Sequence, residues 1–346
     1  MSVLGRLGVV LLFTVASAKA LAQDQPLRVL AWPGYADSDL VEVFEKRYKV
    51  KVEVTLVSSD EILRAKMAEH DGADYDLVAA NTAEIHSYAD RGLLQPLHPE
   101  SIPNTAHQLT RFRDYRDIPD LVVGGKLYAI PYAWSEMGLI YDKGQFSTPP
   151  DSIASLWDPR YNKRVLAFNT GNHNFSLASL ALGGDPFKIK PADFPTVADK
   201  LVELRRNVLT FYSLPEEAVE LFRSHHVALL FANYGRQQLK QLRDEGADVG
   251  YVIPKEGALA WLDCWAVTRG ARDLALANRW IDYTLEPEVS QALVERQGLS
   301  NTLQESAALP AGQKLIWLGR VEDDQRRAAL WQRIVSGERP PLREVP

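Results

Sequence analysis

The chain contains a single cysteine, Cys264, in 346 residues. An intramolecular disulfide is therefore excluded, and an apolar core must hold the fold together. Common catalytic spacings are missing as well: there is no H-E-x-x-H, no G-x-S-x-G and no phosphate-cradling P-loop. The seven histidines are scattered, and the adjacent pair His225-His226 cannot present two rings from one helix face. Asp117, Asp120 and Glu216-Glu217 lie in polar loop or helix-start contexts and read as solvated surface. No enzyme activity, metal or cofactor is expected. Basic charge is also short. Lys and Arg number 39 against 45 Asp and Glu, and the formal charge of −6 is opposite to the footprint of a nucleic-acid binder. Internal repeats, low-complexity tethers and a second long apolar run are all absent.

What is present begins with that one apolar run. Arg6 precedes a continuous apolar stretch from Leu7 to Ala16, then small residues, then Ala20-Leu21-Ala22. This is the pattern of a cleaved export signal over residues 1–22, with Gln23 as the first mature residue. The run is well short of the ~20 residues that span a bilayer. No cysteine follows the cleavage site, so lipid attachment is not expected and a free periplasmic protein is. The length and the 46 % hydrophobic content suit two domains.

The mature chain opens with an apolar strand, Leu27 to Ala31, running into Trp32-Pro33-Gly34-Tyr35. Asp37 or Ser38 caps a helix carrying Leu40, Val41 and Phe44 at helical spacing. Val50, Val52, Val54 and Leu56 alternate as in a half-buried strand, and Ser58-Ser59-Asp60-Glu61 starts the next helix. Tyr75 to Ala80 reads as a buried strand ending at Asn81-Thr82. A second such unit follows Pro131: a strand over 163–168, a polar loop over 169–174, a helix over 175–182, and a strand over 227–231. Strand–helix alternation of this kind predicts two doubly wound α/β lobes, with ligands at the carboxyl ends of the strands. Aromatic and small polar residues recur at those ends: Trp32 and Tyr35, Asn81-Thr82, Asn233-Tyr234, and Trp261 with Asp263.

The opening Leu30-Ala31-Trp32-Pro33-Gly34-Tyr35 resembles the strand, Trp, two residues, Tyr opening of bacterial spermidine/putrescine-binding proteins of ABC transporters. Four more stretches match in order: Ser58 to Glu61, Tyr75 to Val78, Ile130 to Trp134, and Pro254 to Gly257 followed by Trp261-Leu262-Asp263. The resemblance spans essentially the whole mature chain. It implies a type II periplasmic-binding fold with crossovers near 131–136 and 255–261 and a cleft between the lobes. The first lobe is expected over 23–132 plus 258–303, the second over 133–257 plus 304–346. It also implies a permease partner in the inner membrane, or a membrane sensor in its place; the sequence is silent on oligomeric state, and a monomer is the default expectation.

On the family's pattern Trp32, Tyr35 and Trp261 fall on an aromatic box, Asp263 on its amine-binding carboxylate, and Phe231 where another Trp is frequent. Asn81 and Thr82 match a polar strand end near the ligand. Such a set suits an alkyl ammonium, whose charge and methylenes lie on aromatic faces while a carboxylate takes the nitrogen. The residues support this independently. Trp261 and Asp263 share one strand face, and a carboxylate in the apolar run from Leu259 to Val267 is costly to bury unpaired. Cys264 and Trp265 are expected to point elsewhere, and Trp134, Trp157, Trp280 and Trp331 to be core. Three positions where the family carries acids are Gly34, Gly171 and Asn174 here. Glu136 is a candidate replacement or a solvated hinge residue and Asn174 a polar contact, while Arg236 is read as a surface helix residue, with a carboxylate-binding place in the cleft as the alternative. A polyamine, putrescine or spermidine, is the leading ligand. An amino acid or another mono-amine is the alternative, which the neutral 169–174 loop suits.

Overall fold

The computed structural model describes residues 25–306 and 312–338. The export signal expected over 1–22 lies outside them. Two sheets organise the described chain. The first contains β1 (Leu27–Ala31), β2 (Val52–Leu56) and β3 (Leu77–Asn81). A two-stranded ribbon of β4 (Val122–Val123) and β5 (Lys126–Leu127) precedes β6 (Ala129–Met137). The second sheet is built from β7 (Leu139–Asp142), β8 (Val165–Phe168), β9 (Val208–Tyr212), β10 (Leu229–Phe231) and β11 (Val249–Val252). The chain then returns to the first sheet with β12 (Ala258–Val267), β13 (Ser300–Asn301) and β14 (Leu315–Trp317). The orders are β13-β6-β12-β3-β1-β2, with β14 beside β12, and β11-β7-β10-β8-β9.

The first lobe is parallel where it is wound by helices, β1 pairing with β2 and β3, and antiparallel where β12 lies against β3 and β6. Both faces of its central strands are covered, so most of their residues are apolar. Alternation sorts them: Val29, Ala31, Leu77, Ala79 and Trp265 pack on one side, Leu30, Val78, Ala80 and Cys264 on the other. The second lobe has its own core, which the C-terminal helix Asp324–Ser336 completes with Leu330, Trp331 and Ile334. Trp134, Trp280 and Trp331 are buried, and Trp157 is half-buried with its indole N–H on the Lys200 carbonyl. Among the described residues no helix is long and apolar enough to cross a membrane.

Three segments pass between the lobes. β6 stays in the first sheet to Met137, so the first change of sheet falls at Gly138. The second is the 253–257 turn before β12, and the third is the stretch after β14 that leads to the C-terminal helix. β12 is long enough to pair with β3 through Asp263–Val267 and with β14 through Ala258–Ala260. Trp261 therefore stands where β3 has ended and the sheet opens towards the second lobe.

Candidate ligand cleft

A cleft lies at the carboxyl ends of β1 and β3, between the lobes. Trp32, Tyr35, Asp60, Asn81, Trp261 and Asp263 line it from the first lobe, with His173, Asn233, Tyr234 and Gln237 opposite. The cleft is partly open, with a cavity volume of about 120 Å³.

Asp263 sits at the floor. Cross-strand pairing sets it opposite Asn81, the last residue of β3. Tyr35 Oη donates to Asp263 Oδ2 at 2.7 Å, and both residues are buried. Tyr35 is itself held by edge contacts with Tyr132 at 5.2 Å and Trp265 at 6.4 Å between ring centroids. Trp265, expected to point away, thus belongs to the side of Asp263 and braces the tyrosine that touches it. Burial pushes the Asp263 carboxyl up to about 7; the charge of Asp60 adds to this, and the Tyr35 hydrogen bond opposes it. The same burial, with Asp263 beside it, drives the Tyr35 phenol well above its ordinary range. Among the described residues no cation pairs with Asp263.

The aromatic walls come from different elements. Trp261 packs on the cores of both lobes and donates its indole N–H to the Asn233 carbonyl at 3.2 Å. Trp32 is half-buried after β1, and its buried Nε1 has no acceptor among the described residues. Asn81 caps the Thr82–Asp90 helix, its Oδ1 accepting from Glu84 N at 3.1 Å. Its Nδ2 is thereby turned to Asp60 Oδ1 at 3.2 Å. Opposite, His173 Nδ1 donates to Asn233 Oδ1 at 2.6 Å. Beyond Asp60 and His173 the cleft continues into a polar compartment where Arg64 pairs with Glu84 at 2.6 Å.

Four expected contacts stand elsewhere. Phe231 is buried in the second core. Thr82 is buried near the Leu318 carbonyl, outside the cleft lining. Asn174 is fully buried and donates to the Phe168 and Thr170 carbonyls at 2.6 and 2.7 Å, because the expected polar loop is the first turn of the Gly171–Ala181 helix. Glu136 is fully buried at the first crossover and pairs with Arg236 across the lobes, Nε to Oε1 2.5 Å. Arg236 is no surface residue: its guanidinium also lies 4.8 Å over the Tyr251 ring.

The positions lacking family acids are filled structurally. Gly34 has φ +86°, and a Cβ there would strike the Gln297 side chain at 2.4 Å, so an acid is both strained and obstructed. Gly171 lies under the C-terminal helix, where a Cβ would come 3.0 Å from the Arg327 carbonyl oxygen. Asp60, His173, Asn233 and Tyr234 were within reach of sequence reasoning as strand-end residues. Only the fold shows that they converge, and among the described residues no group of three or more His, Cys, Asp or Glu is placed to hold a metal ion.

Two lobes around a cleft whose buried carboxyl pairs with no cation among the described residues are consistent with the relatives. A family model of bacterial extracellular solute-binding proteins matches residues 39–316. A spermidine/putrescine-binding periplasmic protein of Haemophilus influenzae is 27 % identical over 301 residues, covering 85 % of this chain and 80 % of that one. A putrescine-binding periplasmic protein of Escherichia coli is 25 % identical over 363 residues, covering 94 % and 96 %. Among solved structures, a putative spermidine/putrescine ABC transporter protein of Listeria monocytogenes superposes with TM-score 0.76 at 23 % identity, covering 90 % of this chain and 98 % of that one. With the family model matching most of its length, the chain belongs to the bacterial extracellular solute-binding proteins.

Proposed function

We propose that this protein is the periplasmic receptor of an ABC uptake system and that it captures a small amine, with putrescine or spermidine as the leading ligand. One observation carries the reading: a buried Asp263 carboxyl, braced by Tyr35 and flanked by Trp32 and Trp261, with no cation paired to it among the described residues. An alkyl ammonium supplies the missing charge. Its methylenes lie on the indole faces, a cation–π contact of about 0.5–2 kcal/mol. The names of the relatives support both the ligand class and the periplasmic site of action, and a permease as the partner. In this reading the receptor is a monomer, since the cleft is complete within one chain.

A second reading keeps the amine but gives the ligand a polar far end, as in an ω-amino acid. It rests on Gly34, Gly171 and Asn174 standing where the family has acids. Calorimetric titration against putrescine, spermidine, amino acids and ω-amino acids decides between them. Binding of a polyamine with a clear preference over amino acids is expected. A response to an amino acid and none to any polyamine overturns the polyamine reading.

A further inference from the structure

The cleft holds a second carboxylate, Asp60, in the Ser58–Glu61 stretch, which matches the family but to which the resemblance gives no ligand contact. Asp60 is the first residue of the Asp60–Ala68 helix, whose Ser59 cap accepts from Ile62 N at 3.2 Å and fixes that first turn. The carboxylate is half-buried and faces both the aromatic cleft and the polar compartment beyond it. Its Oδ1 accepts from Asn81 Nδ2 at 3.2 Å, while Oδ2 has no hydrogen-bond partner among the described residues. The nearby cation, Arg64, pairs with Glu84 at 2.6 Å and Glu61 at 3.5 Å; its charge is felt at Asp60, but no ion pair reaches Asp60 among the described residues.

Asn81 fixes how the two acids relate. It is the cross-strand partner of Asp263 and the hydrogen-bond donor to Asp60, so the carboxylates stand on either side of one asparagine. The charge of Asp60 is felt at Asp263, which places the two in one electrostatic site. Both come from the first lobe, while the second lobe offers His173, Asn233 and Tyr234 opposite them. A single ammonium on Asp263 leaves Asp60 unneutralised in a half-buried cleft, whereas two ammonium groups on a short alkyl chain satisfy both.

We infer that Asp60 is the second ammonium anchor and that it makes the cleft selective for short α,ω-diamines over mono-amines and ω-amino acids. The inference rests on the amine reading of Asp263. Asp60 takes the role that Gly34, Gly171 and Asn174 leave empty, from a helix start in the first lobe.

The test is calorimetric titration of the wild type, Asp60→Asn, and the exposed-acid control Glu53→Gln with 1,4-diaminobutane and with 1-aminobutane. The wild type and the control are expected to prefer the diamine by at least about tenfold. In Asp60→Asn that preference falls to within about threefold while 1-aminobutane binds as before, which also shows that the variant is folded. Unchanged diamine preference in Asp60→Asn, or equal binding of both amines by the wild type, overturns the inference and leaves the amine reading standing. Failure of the wild type to bind either amine overturns the amine reading itself, and this inference with it.

Discussion

At the scale of single residues, the chemistry rests on keeping a carboxylate in an apolar place. Burial pushes the Asp263 carboxyl up to about 7, outweighing the hydrogen bond from Tyr35. An ammonium binds only its ionised form, and an alkyl ammonium stays charged to about pH 10. Affinity should therefore be flat between about pH 8 and pH 10 and fall about tenfold per unit below pH 6. Titration near pH 7 in buffers of different ionisation enthalpy should show release of about half a proton. The stability sign follows from the same shift. A carboxyl raised above its unfolded value favours the fold at low pH, and that contribution is lost as pH rises through about 7. Asp263→Asn should accordingly stabilise the empty protein by roughly 1–2 kcal/mol at pH 8 while weakening an amine ligand by about 1.5–3 kcal/mol. Thermal unfolding with and without ligand reads both effects. A variant with Trp32→Ala and Trp261→Ala that stays folded and binds normally would show that the aromatic walls are misplaced.

At the scale of elements, much was legible because local rules and tertiary packing agree. The Leu27–Ala31 and Leu77–Asn81 strands, the Ser59 cap and the shared face of Trp261 and Asp263 follow from apolar runs, cap chemistry and a period of two. The Gly171–Ala181 helix was not legible at its start. Gly-Asn-His-Asn has the composition of a loop, and only the C-terminal helix packing over it holds that turn helical. Glu136 was misread for a related reason: its partner Arg236 is a hundred residues away in sequence and meets it only once both sheets are built. The pair is a structural strut beside the first crossover, with Tyr251 Oη donating to the Glu136 carbonyl at 2.7 Å. Glu136→Gln should cost about 3 kcal/mol in urea unfolding, as expected when one partner of a buried ion pair is neutralised, and change ligand affinity by less than about tenfold. A large affinity loss with little change in stability would restore Glu136 to the ligand.

At the scale of the whole molecule, the cleft walls belong to two bodies joined by three segments, and neutral contacts join the Glu136–Arg236 pair in holding them together. Tyr234 Oη lies 3.0 Å from the Ser58 carbonyl and 2.9 Å from that of Ser213, linking the second lobe to the first. Gln237 Nε2 donates to Gln297 Oε1 at 2.9 Å, and Trp261 Nε1 to the Asn233 carbonyl at 3.2 Å. Each such bond contributes about 0.5–1.5 kcal/mol net, which biases closure without locking it. A ligand that touches both lobes then adds the rest, and its apparent affinity scales with the closed fraction it meets. Tyr234→Phe removes the bond to Ser58 without altering Asp263, Trp32 or Trp261. Apparent affinity should fall by about threefold to tenfold. Small-angle scattering should show the empty variant more expanded than the wild type and the two saturated forms alike. An affinity loss with no expansion of the empty variant would mean that Tyr234 acts on the ligand directly, and that closure is set at the crossovers alone.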